Sequence, residues 1–263
     1  MKYESIGQLL LPRGKDYKER KAWSMDTPDI LTRSRLFAGM GPEEQDSVLS
    51  AGHRREYSPG TVVFREGDPA GACYLVLEGR LKLVKLHEEG KQVVIRYINP
   101  GEVTAAIAIS GSREYPVTAY AEEKAVLIGW ERKAMFRLMM DLPRLAINIM
   151  DAAVLRLEDI QQRYLELCAE KVEQRIARAL LRIVNRPGTG TDGLPAEEVR
   201  LNRQDLADYA GTTIYTVSRT LGTWEKKGWV SPGRERILIT DPTSLEAFSE
   251  AGPDSRAGSG SRG

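Results

Sequence analysis

Between Arg200 and Arg236 the chain sets Arg203 and Gln204, then Thr213, Tyr215, Thr216, Ser218 and Arg219, on either side of the glycine at 211. Hydroxyl, amide and guanidinium groups in such a cluster suit a nucleic acid. Backbone amides and hydroxyls lie against phosphate oxygens, while a guanidinium pairs bidentately with guanine in a major groove. The surrounding residues predict how they are carried. Asn202 suits the cap of a helix over Arg203–Ala210, Gly211 permits a tight bend, and Thr212 or Thr213 caps a second helix that continues from Ile214 to Lys227. Leu206, Ala210, Val217 and Leu221 then fall where two short helices pack at a steep angle, which is helix-turn-helix spacing. Beyond Gly228, Trp229–Ile239 predicts two short strands around a turn, so the unit is a winged helix-turn-helix. On this reading Arg219 is the principal base reader, while Arg203, Gln204, Arg234 and Arg236 reach phosphate.

A helical hairpin with a glycine bend is also an ordinary packing motif, so charge has to decide between the two. Formal net charge over all 263 residues is only +1, which by itself speaks against a polyanionic partner. From Arg200 to Arg236, however, seven basic residues stand against four acidic ones, an excess that lies where a duplex would dock.

The length accommodates two modest domains, and 41% hydrophobic residues are enough for packed cores. No apolar run reaches the ~18 residues of a membrane-spanning helix, and Met1-Lys2-Tyr3-Glu4 lacks the layout of a signal peptide, so a cytoplasmic protein with no membrane partner is expected. Two cysteines, Cys73 and Cys168, cannot build a disulfide framework or a four-thiolate site within one chain. With only His53 and His87 beside them, no metal site and no cupin-like enzyme is expected, and no phosphate loop or hydrolytic triad is evident.

Upstream of the winged unit three further regions are legible. Residues 1 to 27 have no sustained period, and Pro28–Ser50 predicts two short helices, the second starting at Pro42. From Ala51 to Glu131 the turns Ser58-Pro59-Gly60, Gly67-Asp68, Glu78-Gly79, Glu88-Glu89-Gly90 and Asn99-Pro100-Gly101 recur about every ten residues, as in an all-β meander or barrel. Thr61–Phe64, Tyr74–Leu77, Leu81–Val84, Val93–Tyr97, Val117–Ala121 and Ala125–Gly129 are the expected strands. After Glu131 the pattern is helical, with Leu142, Ala146, Ile149, Ala153, Leu157, Ile160, Tyr164 and Leu167 as the predicted stripe of a helix-to-helix seam. A separate helix follows over Val172–Val184, and the residues after Gly252 read as a flexible tail.

This order, with Phe64-Arg65-Glu66-Gly67-Asp68, Tyr74-Leu75-Val76-Leu77-Glu78-Gly79, Asn99-Pro100-Gly101-Glu102, Asn202-Arg203-Gln204-Asp205-Leu206-Ala207 and Thr216-Val217-Ser218-Arg219, resembles the cyclic-AMP receptor protein and fumarate–nitrate regulator (CRP/FNR) superfamily of bacterial transcription regulators over residues 28–248. The resemblance implies an α+β chain. Its parts are an N-terminal extension (1–27), a jelly-roll-like β-roll sensor domain of cyclic-nucleotide-binding type (28–136), a long dimerisation helix (137–170), a C-terminal winged helix-turn-helix (171–248) and a tail (249–263). It further implies a homodimer on near-palindromic double-stranded DNA, with RNA polymerase as a partner, in which an effector in the roll repositions the recognition helices.

Departures from the family pattern bear on the effector, whose expected contacts are Glu102, Arg113, Tyr115, Pro116, Val117 and Thr118. In cyclic-AMP-responsive members a Glu of the Pro-Gly-Glu stretch meets the ribose and an Arg-Ser pair holds the phosphate. Glu102 is present, but the pair aligns with Tyr115-Pro116, which offers no cation unless Arg113 shifts in. An iron–sulfur cluster is disfavoured, since residues 1–50 hold no cysteine. The Tyr115–Thr118 pattern is similar to that of regulators of nitrogen-oxide genes. A gas-sensing haem with His53, His87, Cys73 or the amino terminus as axial ligand is therefore the leading specific effector. A regulator without an effector and a cyclic-nucleotide-responsive one are the alternatives. Tyr215 stands where the family's recognition helix usually has a Glu, so the common half-site is not assumed.

Overall fold

The computed structural model describes residues 29–86, 92–110, 114–184 and 197–251, in two compact units that divide between Ala153 and Val154. The 1–27 extension, the residues after Ala251, the Glu88-Glu89-Gly90 turn, His87 and Arg113 lie outside the described residues.

In the first unit eight described strands pair antiparallel in two sheets. One holds β1 (His53–Tyr57), β3 (Ala72–Glu78), β6 (Val103–Thr104) and β8 (Ala125–Glu131), in the order β1-β8-β3-β6. The other holds β2 (Val62–Phe64), β4 (Leu81–Leu86), β5 (Gln92–Ile98) and β7 (Thr118–Ala121), in the order β2-β7-β4-β5.

The unbroken apolar runs of β3 and β8 follow from burial on both faces. Successive side chains of a strand point to opposite sides, so a strand covered on one side alternates and one covered on both does not. Ala72, Tyr74 and Val76 of β3, with Ala125 and Leu127 of β8, enter the roll and meet Phe64, Leu81, Leu83, Ile98 and Tyr115. Cys73, Leu75 and Leu77, with Val126, Ile128 and Trp130, point the other way into a layer of helices.

That layer comprises α1 (Asp29–Arg33), a 3-10 turn at Arg35–Phe37, α2 (Pro42–Ser50), α4 (Arg132–Asp141) and the start of α5 (Pro143–Ala169); α3 (Ile107–Ser110) lies between β6 and β7. The indole N–H of Trp130 donates to the Val48 carbonyl at 2.7 Å. Buried Asn148 of α5 donates to the carbonyls of Leu36 (2.8 Å) and Ala38 (3.0 Å), which ties the start of the long helix to the layer. At the corner after β3, Gly79 adopts φ +73, and a Cβ there would collide with the Lys124 carbonyl. The Glu78-Gly79 punctuation thus marks a position that only glycine fills without strain.

Over its second half the long helix exposes the expected Leu157, Ile160, Tyr164 and Leu167, and over its first half it departs from the expected stripe. Leu142 and Ile149 pack against the helix-layer core, while the exposed apolar side chains include Ile147, Met150, Val154, Leu157 and Tyr164. With the exposed Gln161 and Cys168 these alternate at steps of three and four, one position round the helix from the predicted line over its first half. Periodicity predicted an apolar stripe at this spacing; the helix-layer core covers one flank of the helix and leaves the next exposed.

In the second unit the rest of α5 is joined by α6 (Val172–Val184), β9 (Glu197–Arg200), α7 (Arg203–Ala210), α8 (Ile214–Lys226), β10 (Val230–Pro232), β11 (Arg236–Ile239) and α9 (Pro242–Glu250). The wing has three strands in the order β10-β11-β9, one more than expected, because Glu197–Arg200 pairs with β11 from a distance the local pattern does not span. Ile176 and Leu180 of α6, Leu206 of α7, Val217 and Leu221 of α8, Ile237 and Leu245 form its buried centre. Trp224, Trp229 and Phe248 cluster beside it in tilted and edge-to-face pairs with ring centroids 5.6–6.3 Å apart. Among the described residues no helix is long and apolar enough to cross a membrane.

Candidate nucleic-acid interface and effector region

Both helices of the turn start as their sequence dictates. Asn202 Oδ1 accepts from the Asp205 amide at 2.7 Å, and Thr213 Oγ1 accepts from the Thr216 amide at 3.3 Å, so Thr213 rather than Thr212 is the cap. Gly211 closes α7 in the left-handed region (φ 64, ψ 49). With Val217, Thr220, Leu221 and Trp224 buried, α8 has its opposite face open.

That face carries the predicted residues. Tyr215 is 84% exposed and Arg219 is exposed one turn on. Thr216 and Ser218 are half-buried; the hydroxyls of Thr213 and Thr216 lie 3.1 Å apart, and Ser218 Oγ accepts from Arg203 Nη1 at 3.5 Å. Gln204 is exposed and donates to Asp208 on its own helix at 2.9 Å. Of the seven predicted residues, Arg203 of α7 meets Ser218 of α8 and Thr213 meets Thr216, Gln204 bonds within its own helix, and Tyr215 and Arg219 are the exposed groups of the open face of α8.

Local sequence carried no sign of what holds the bend. Arg175 of α6 donates from Nε to the Ala210 carbonyl (3.2 Å), from Nη2 to that of Gly211 (3.1 Å) and from Nη1 to that of Glu170 (3.3 Å). Arg163 of α5 lies 4.2 Å over the Tyr209 ring and donates to the Tyr209 carbonyl. Their partners at the bend are 35 to 46 residues away, beyond any motif window. Nearby, the buried carboxylate of Glu166 pairs with Arg182, and Glu170 pairs with Arg178 at 3.1 Å.

In the roll, Tyr115 is buried and stacks on Phe64 with centroids 4.4 Å apart. Its hydroxyl donates to the Ala72 carbonyl (2.8 Å) and accepts from the Ala72 amide (3.0 Å), as a paired strand residue would. Burial raises the phenol pKa above its ordinary value, so the group is a neutral donor at pH 7. Val117 packs on the same core. At the rim, the exposed Pro116 offers its carbonyl to Lys85 Nζ (3.1 Å), Lys85 pairs with Glu66 (3.0 Å), and Thr118 Oγ1 accepts from the Glu66 amide (3.0 Å). Glu102 belongs to a separate turn, where it accepts from Arg96 Nη2 and from the Asn99 amide, both at 3.1 Å.

A haem does not fit the described residues. Cys73 is packed in the helix-layer core, where desolvation pushes its thiol up to about 12, so it offers no thiolate. His53 is exposed on the edge strand β1, and Cys168 is exposed on α5. The roll's interior is lined instead by Phe64, Tyr74 and Tyr115.

A β-roll joined through a long helix to a winged helix-turn-helix defines a DNA-binding transcription regulator, not an enzyme. The chain matches the cyclic nucleotide-binding domain over residues 54–141 and the Crp-like helix-turn-helix domain over residues 174–248. It is 32% identical over 213 residues to the cyclic AMP receptor protein of Thermus thermophilus, a match covering 81% of this chain and 95% of that protein. To the nitrogen fixation regulation protein FixK of Bradyrhizobium diazoefficiens it is 31% identical over 205 residues, 76% of this chain and 83% of that one. The c-di-GMP responsive global regulator CLP of Xanthomonas campestris shares the fold, with TM-score 0.64 and 23% identity over 76% of this chain and 99% of that structure. The chain belongs to the CRP/FNR family of transcription regulators.

The substitution Tyr115→Phe keeps the ring stack and removes both hydroxyl bonds to Ala72. It is expected to lower the unfolding free energy by about 1–2 kcal/mol, read as a drop in the urea midpoint at unchanged slope.

Proposed function

We propose that the chain works in the cytoplasm as a homodimer, paired along α5, whose two α8 helices enter successive major grooves of a near-palindromic site and so place RNA polymerase on nearby DNA. The exposed stripe of α5 carries this reading. Nine large apolar side chains of that one helix stand open to solvent, and fully burying a side chain of leucine size contributes about 1.5–3 kcal/mol. A second copy of the same helix answers a stripe spaced at alternating threes and fours, whereas a small ligand would not. The excess of basic residues over the winged unit then lies on both halves of the dimer.

The roll is proposed to respond to no cyclic nucleotide. The names of the relatives speak of cyclic AMP and c-di-GMP, but here the place of the phosphate-holding arginine belongs to Tyr115, turned inward and bonded twice to Ala72. Glu102 is likewise engaged by Arg96 and the Asn99 amide. These contacts favour a roll closed on its own side chains, and hence a regulator that works without an effector in that pocket.

Replacing Leu157 by Glu puts two carboxylates face to face in the seam, so sedimentation velocity is expected to show a monomer with unchanged helical content; a stable dimer would overturn the pairing. For Arg219→Ala, specific binding is expected to weaken by about 1–3 kcal/mol in gel-shift titrations while binding to random duplex stays nearly constant. Calorimetric titration with cyclic AMP is expected to show no binding tighter than about 1 mM. A micromolar isotherm would restore the nucleotide-responsive reading.

A further inference from the structure

We infer that Arg175 is the positioning residue that fixes the angle of the recognition helix relative to the end of the long helix; the inference rests on the proposed homodimer. Its guanidinium gathers three carbonyls from two separate segments: Glu170, just past the end of α5, and Ala210 and Gly211, at the bend between α7 and α8. A guanidinium is planar and its N–H directions are fixed relative to one another, so three acceptors bound to it cannot rotate independently. An ammonium, a single point with freely turning donors, imposes no such relation.

The surroundings reinforce the link. Arg163 of α5 meets the carbonyl of Tyr209, so three successive carbonyls at the bend, those of Tyr209, Ala210 and Gly211, all accept from side chains of α5 or α6. Leu167 of α5 lies so close to Gly211 that a Cβ there would sit 2.8 Å from its Cδ2. The bend does not need Arg175 for its own closure, because the Gly211 and Thr212 amides already bond back to carbonyls of α7. Gly211 is also exposed, so water replaces the arginine at its carbonyl when the side chain is shortened. Arg175 therefore contributes little to folding and much to the direction in which α8 leaves the bend.

In a dimer, that direction sets the separation and rotation of the two half-sites. Inserting one base pair between half-sites rotates one of them by about 35° about the duplex axis, which a rigid joint resists and a loose one accommodates.

The experiment uses full-length protein and a duplex that the wild type selects from a random pool, in versions with the selected spacing, with one extra central base pair, and with one half-site alone. Wild type is expected to prefer the selected spacing by more than about tenfold. Both Arg175→Lys and Arg175→Gln are expected to keep the thermal midpoint and the half-site affinity. Each is expected to lose about three- to tenfold on the selected duplex, with the preference over the lengthened one falling below about threefold. A variant with wild-type spacing preference overturns the inference, whatever its affinity. So does an equal loss on all three duplexes with a lowered midpoint, which would make Arg175 a stabilising residue only. A wild type that is monomeric or indifferent to spacing overturns the homodimer reading and the inference with it, and does so before any variant is made.

Discussion

A helix leaves carbonyls without partners at its C-terminal end, and where packing keeps water away a side chain must supply the missing donor. Much of this molecule's order follows from how it meets that demand. Asn148 serves Leu36 and Ala38, and Trp130 serves Val48. Apolar contact is non-directional and lets elements slide, whereas a hydrogen bond to a carbonyl has a preferred direction. The donors therefore set orientations that the apolar cores alone would leave soft. Asn148 lies in the second turn of α5 and Arg175 in the first turn of α6, and each reaches from its own helix to carbonyls of another segment.

The β-roll has the architecture of a small-molecule receptor, and aromatic side chains lie in its core. Phe64, Tyr74 and Tyr115 lie in its buried core, and the Tyr115 hydroxyl pairs with both backbone groups of Ala72. An arginine in place of Tyr115 would bring a charge that needs an anion in the same space, since burying an unpaired cation is costly. On the proposed reading, that one side chain separates a roll that demands a ligand from one that works without it. The rim retains a charged cluster, Glu66 with Lys85, and its bonds go to the neighbouring strand ends.

The near-neutral total charge bears on how the protein finds DNA. Affinity for arbitrary duplex comes almost wholly from phosphate neutralisation, and a modest local excess of basic groups provides only a modest amount of it. On the proposed reading, discrimination then falls to base contacts from α8 and to the geometry that presents two such helices together. That division of labour gives a premium to rigid joints around the recognition helix, including those made by Arg163 and Arg175.

Sequence alone determined the features whose causes are local. Asn202, Gly211 and Thr213 act within three or four residues, so the bounds of α7 and the start of α8 were legible from their caps. Strands β3 and β8 were legible because two-sided burial writes an unbroken apolar run, and the departure at Tyr115-Pro116 could be read from the motif. Strand β1, His-Arg-Arg-Glu-Tyr, was missed because only Tyr57 is buried and an edge strand needs little apolar patterning; β9 was missed because its partner lies some forty residues on. Only the tertiary structure decided which flank of α5 stays open, since the residues of both flanks are apolar and packing on the roll chooses between them. It alone decided that Tyr115 points inward, and that Arg175 reaches a bend 35 residues away. Contacts between distant segments leave no periodic trace in the chain, because their spacing is set by how the elements pack and not by the repeat of any one of them.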